Sequence, residues 1–145
     1  MGKVFLADVP DAKFQKIFTC ASVASTADGV VASAGFVCDN DISVQRVWYQ
    51  PWADTCTTGT ATSSATYRRI NLCNGGTAGT TTTIMASCNI TASVASRGTK
   101  AFATTASNTA SGGEILFFSA LTVGGDDDNC STLQSGVIQL EYELL

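Results

Sequence analysis

The closing segment "SGVIQLEYELL", Ser135 to Leu145, alternates Ile138, Leu140, Tyr142 and Leu144 against Gln139, Glu141 and Glu143. A period of two puts the four apolar side chains on one face of a pleated strand and the polar ones on the other. One face needs a core and the other needs water. The same pattern returns in Thr81 to Val94, where Ile84, Ala86, Cys88, Ile90, Ala92 and Val94 form the face predicted to be buried, and Met85, Ser87 and Asn89 the wet one. Ala12 to Val23, Val30 to Cys38, Ile42 to Trp52, Ala65 to Leu72 and Glu114 to Val123 are the other predicted strands. In Ile42 to Trp52 the apolar face moves from Ile42 and Val44 to Val47 and Tyr49, which predicts a bulge near Gln45-Arg46. Pro51, lacking an N–H, is expected to place that strand's end at an edge. The last strand is expected to lie between two others, where ladder bonds hold it without any tail.

Turn chemistry separates these runs. Asp28-Gly29 reads as a hairpin-type turn, Asn74-Gly75-Gly76 as a turn, Thr55 to Ser64 as a Thr/Gly/Ser loop, and the segment around Asp126-Asp127-Asp128-Asn129 as a charged tip capping a hairpin. Crossover helices would need 10–15-residue stretches of 3.6 periodicity, and the sequence contains none. The fold class is therefore all-β. About eight strands with long Gly/Thr-rich connections predict a two-sheet antiparallel β-sandwich of jelly-roll type over residues 12–145. Residues 1–11 read as an extended N-terminal arm, and nothing divides the remainder.

Charge narrows the partners. Only 14% of residues are charged, the net charge is -4, and the eight Lys and Arg are scattered from Lys3 to Lys100. Phosphate backbones require clustered cations, so no nucleic acid is expected. No apolar run reaches 18 residues, so no membrane is expected. "MGKVFLADVPDAKFQK" meets acids and a proline within ten residues, unlike a secretory signal, which predicts synthesis in the cytoplasm.

The six cysteines, Cys20, Cys38, Cys56, Cys73, Cys88 and Cys130, have no close pairs, and the chain has no His. Zinc is disfavoured. Two alternatives stay open. The thiols are buried as small hydrophobes, Cys20 beside Phe14 and Phe18, and Cys88 beside Ile84 and Ile90; or they form disulfides after release into an oxidising medium.

No enzyme is expected. Without His there is no Ser-His or Cys-His pair. Glu141 and Glu143 share a strand face and read as a solvated edge. Asp126 to Asn129 lacks the spaced ligands of a calcium loop, and Asn89-Ile90-Thr91 is a formal glycosylation sequon only. No metal and no cofactor are expected. Trp48, Tyr49 and Trp52 around Pro51 present two options, a sugar-stacking platform or core packing, with Trp52 sealing a neighbour contact.

The run "GEILFFSALTVGGDDDNCSTLQSGVIQLEYEL" (Gly113 to Leu144), with "DISVQRVWYQ" (Asp41 to Gln50) and "TTTIMASCNITASV" (Thr81 to Val94), resembles small jelly-roll proteins of tailed-phage virions. The resemblance covers roughly Asp41 to the end. It implies a virion structural protein, a homotrimeric decoration or cement protein that binds the major capsid protein or another virion protein. It transfers no catalytic residues. The alternatives are a receptor- or carbohydrate-binding tip of a tail or fibre, and a self-assembling coat or filament subunit. Candidate partner-binding residues are Val4, Phe5, Leu6, Val9 and Pro10 of the arm, which would pair as a strand with a neighbour, and Trp52.

Overall fold

The computed structural model describes residues 13–20, 30–53, 67–90, 98–123 and 134–145. They form ten strands and, among themselves, no helix. Seven strands are long: β1 (Lys13–Cys20), β2 (Val30–Val37), β3 (Ile42–Pro51), β4 (Tyr67–Asn74), β5 (Thr83–Ile90), β9 (Ile115–Val123) and β10 (Gly136–Leu144). Three are two-residue bridges: β6 (Lys100–Ala101), β7 (Ala103–Thr104) and β8 (Thr109–Ala110).

The strands pair into two antiparallel sheets, the sandwich that the alternation predicts. One runs β1-β10-β3-β6, with β8 also on β3, and the other runs β2-β9-β4-β5-β7. The first long strand thus pairs with the last, and the second with the last but one. Of the long strands, only β4 and β5 are neighbours in both sequence and space. This corrects two local expectations. β1 and β2, which flank Asp28-Gly29, belong to different sheets, so no hairpin joins them there; β9 and β10, which flank the acidic tip, also do. A turn sequence reports local backbone preference, whereas pairing is decided by which faces bury together.

β10 lies between β1 and β3, the interior position expected for it, and the Leu145 N–H continues the tie to the Asp41 carbonyl at 3.0 Å. Side chains from both sheets meet in one core. Tyr49, Leu140 and Ile138 from the first sheet face Ile70, Leu72 and Phe118 from the second, each with at most 1% of its surface exposed. Each such side chain contributes about 1.5–3 kcal/mol by leaving water. Phe18 of β1 bridges the layers, 5.6 Å from the Phe118 ring edge-on and 5.2 Å from the Phe36 ring, stacked.

The bulge in β3 is where the face swap placed it. Glu141 of β10 pairs with Arg46 and Tyr142 pairs with Val44, leaving Gln45 as the extra residue. On the other side of β3, Asn108 extends the β8 pairing to Val44: its carbonyl accepts from the Val44 N–H at 2.8 Å, and its Nδ2 donates to the Val44 carbonyl at 2.9 Å. Pro51 pairs with Gly136 of β10, while the opposite pairing, to β6, stops at Tyr49. The missing N–H therefore sits where the ladder has ended on that side.

A second bulge inverts the predicted faces of β5 at Ile84 and Met85, while Ala86, Cys88 and Ile90 are buried as predicted. Leu72 pairs with Ala86 and Cys73 with Ile84, so Met85 is the extra residue. Met85 turns into the core at 0% exposure, and Ile84 is 39% exposed. Cys88 therefore shares its buried face with Ile90 and not with Ile84.

Residues 98–110, which the sequence shows only as a polar stretch around Phe102, cross between the sheets. β6 pairs with β3, β7 pairs with β5, and β8 returns to β3. Phe102 sits at the crossing, nearly buried, its N–H donating to the Val47 carbonyl at 2.9 Å and its ring 6.2 Å from that of Phe118. Thr105 anchors the far side, its N–H donating to the Met85 carbonyl at 2.8 Å.

The Asn74-Gly75-Gly76 turn is as predicted. Gly76 has φ +64°, the left-handed region where a side chain is strained, and its N–H donates to Asn74 Oδ1 at 2.8 Å.

Candidate interaction surface

Pairing of β3 with β10 sets Trp48 opposite Gln139, and Gln50 opposite Val137. These residues have the parity of the outer face, because Val47, Tyr49, Ile138 and Leu140 on the other parity fill the core. With Thr99, just before β6, they line an open groove of about 240 Å³ on the outside of the first sheet. Gln139 Nε2 donates to Gln15 Oε1 of β1 at 2.9 Å, which fixes its amide. Ile17 of β1, paired with Gln139, is 68% exposed beside the groove.

Trp52 follows Pro51 one residue beyond β3 and is 56% exposed, while its N–H donates to the Ser135 carbonyl at 3.0 Å. The three aromatics named from the sequence thus divide. Trp48 lines the groove, Trp52 lies exposed past the strand end, and Tyr49 is core. Tyr49 donates its hydroxyl hydrogen to the Gln134 carbonyl at 2.6 Å, and burial raises its pKa. Val4, Phe5, Leu6, Val9 and Pro10 lie outside the described residues, as do the loop Thr55 to Ser64, the acidic segment Asp126 to Asn129, Cys56 and Cys130.

Further along the same face, Glu141 departs from the solvated role predicted for it. It is buried between β1 and β3, its Oε1 3.9 Å from both Lys13 Nζ and Arg46 Nε and without a hydrogen bond. A central strand buries even its polar face under the longer side chains of its neighbours, which alternation along one strand does not reveal. Glu143 keeps more exposure and accepts a hydrogen bond from Gln45 Nε2 at 3.2 Å. Asn89 is exposed on β5, its Oδ1 accepting from Arg69 Nε at 2.9 Å.

Cys20, Cys38, Cys73 and Cys88 are buried free thiols, the first of the two alternatives for these four. Burial raises the pKa of each, that of Cys88 to about 11 despite the opposing charge of Lys100. At neutral pH they are protonated, and the thiol is a far weaker nucleophile than the thiolate. Glu114, at the Asn74 end of the sandwich, is the opposite case. Hydrogen bonds from Asn74 Nδ2 (2.7 Å) and the Ser111 N–H (2.8 Å) hold its carboxyl below the usual range. That carboxylate fastens two turns and is already engaged. Among the described residues, no group of three or more His, Cys, Asp or Glu is placed to hold a metal ion, and no helix is long and apolar enough to cross a membrane.

The groove escapes sequence reasoning because its walls come from residues 48–50, 99 and 137–139, and only the β3–β10 register brings them together. A signal was present in the outward parity of Trp48 and Gln50 after the bulge.

No protein-family description matches the chain, and no curated protein matches it. Among solved structures, the acidic stable capsid structure of Helicobacter pylori bacteriophage KHP30 is similar, with 13% sequence identity, 92% of each chain covered and a TM-score of 0.42.

Proposed function

We propose that this chain is a virion structural protein, a decoration or cement protein of jelly-roll type that binds a phage capsid lattice as a homotrimer. The observation that carries the proposal is the sandwich itself. Its interior is filled from both sheets by side chains such as Tyr49, Leu72 and Phe118, so its working surfaces are external. The strand order, first with last and second with last but one, supports the jelly-roll assignment. A surface rich in Thr, Ser, Ala and Gly has little side-chain entropy to lose on docking. In this proposal the chain is not an enzyme, and it uses no cofactor. Val4 to Pro10 supplies an arm that pairs with a neighbour or the shell, and Trp52 seals the contact.

The test is the native mass of the purified protein, alone and with empty capsids of the source virus. A trimer that co-sediments with shells in stoichiometric amounts is the expected result, and deletion of residues 1–11 should release it from shells. A monomer, or a protein that ignores shells, overturns the proposal; a trimer that ignores shells but binds cells would favour a tail or fibre tip.

A further inference from the structure

We infer that the groove on the outer face of the first sheet is a binding site for a neutral saccharide ring. Its lining comprises one broad aromatic side chain, Trp48; two primary amides, Gln50 and Gln139; one hydroxyl, Thr99; and one aliphatic wall, Val137. A sugar presents an apolar C–H face and a rim of hydroxyls, each both donor and acceptor. An indole ring offers a flat surface for the C–H face. Amides and a hydroxyl offer donors and acceptors for the rim. None of the lining residues carries a formal charge, so a phosphate, a carboxylate or an amine would lose its hydration there with no ion to pair with.

Size and backbone accounting point the same way. The volume of about 240 Å³ falls just under the roughly 300–1,000 Å³ of drug-sized pockets, which suits one ring with neighbouring units running over the open sides. The groove lies on the face of the sheet, between strands whose N–H and C=O groups are committed to the β3–β10 ladder. Over that ladder an incoming peptide strand finds no backbone partners, and the sheet edge beside it, at Thr99 and β6, has only two paired residues. Register sets Trp48 and Gln139 directly opposite each other on one face, and the Gln15 hydrogen bond orients the Gln139 amide before any ligand arrives. Such preorganisation reduces the ordering cost of binding.

This inference stands apart from the proposed virion role, since saccharide binding is read in the absence of shells and co-sedimentation in the absence of sugar. Trp48 and Trp52 are the two tryptophans of the chain, so Trp52→Phe leaves Trp48 as the single indole reporter. The full-length variant is titrated by fluorescence with D-glucose, D-galactose, N-acetyl-D-glucosamine and their β-linked oligomers, to well above a millimolar Kd. The expected result is a saturable shift with at least one of them. Binding to otherwise wild-type protein, followed calorimetrically, should weaken at least about tenfold in Gln139→Ala, disappear in Trp48→Ala, and survive in Trp48→Phe. Urea midpoints check that the variants are folded, and Gln139→Ala keeps the test decisive if Trp48→Ala is not. No saturable response to any of these sugars overturns the inference. So does binding that is unchanged in Gln139→Ala and Trp48→Ala.

Discussion

Phe102 tests whether residues 98–110 are structural. Its ring is nearly buried, 6.2 Å from that of Phe118 and tilted 74° to it, while its own strands β6 and β7 are only two residues each. Truncating a buried Phe to Ala costs about 3–5 kcal/mol through lost transfer energy and the cavity left behind. Phe102 belongs near the lower end because one side of it faces the rim, and Phe118 near the upper end because it touches Phe18 as well. A domain of this length has a total stability of about 7–22 kcal/mol, so each single variant should still fold. With a urea m-value of about 2 kcal/mol/M, Phe102→Ala should lower the denaturation midpoint by about 1.5 M, followed by circular dichroism. The double variant should fall short of additivity by about 0.5–1.5 kcal/mol, the worth of an edge-on ring pair. A loss below about 1 kcal/mol for Phe102→Ala would refute the closing role of the crossing segment. Full additivity would refute the ring contact.

Gly136→Ala should destabilise by about 1–3 kcal/mol and lower the thermal midpoint. An added Cβ would collide with the Gln50 carbonyl oxygen and stand 2.9 Å from the Pro51 Cα, both backbone atoms that no rotamer change can move. The Cys88 thiol, raised from an ordinary 9.0 to about 11, is neutral in the folded state where the unfolded chain already ionises. Its contribution is complete below pH 9 and is lost as pH rises from 9 to 11, by up to roughly 2–3 kcal/mol. Urea titrations across that range should show the decline, and Cys88→Ala should flatten part of it.

Much of this architecture is written in the chain as alternation. All seven long strands overlap segments predicted as strands, β2, β3, β5 and β10 from period-two patterning and β1, β4 and β9 from composition and flanking turns, and the β3 bulge follows from the shift between Val44 and Val47. What stayed hidden depends on partners. The β5 bulge is invisible because Ile84 and Met85 are both apolar, so the inversion leaves no break in hydrophobicity, and only pairing with Leu72 and Cys73 shows which one is inside. Residues 98–110 contribute two-residue strands, too short for any period to register. Glu141 is polar on a face whose burial comes from β1 and β3 rather than from its own strand. The groove is a matter of register between distant segments, so its residue types were readable but not their meeting.

The order of strands also decides how the chain acquires its shape. β1 hydrogen-bonds to β10, more than a hundred residues away, and β2 to β9. Non-local pairings pay loop-closure entropy before any contact rewards it, and all-β domains of this kind fold in about milliseconds to seconds. Among the long described strands, β4 and β5, joined by the Asn74-Gly75-Gly76 turn, are the pair that forms its ladder from neighbouring sequence. That hairpin has the smallest loop-closure cost of the long pairings, whereas the β1–β10 ladder must wait for the last strand to be synthesised. Before their partners are made, β1 waiting for β10 and β2 for β9, these two strands present open edges, the state in which a β-rich chain is most exposed to pairing with another copy of itself.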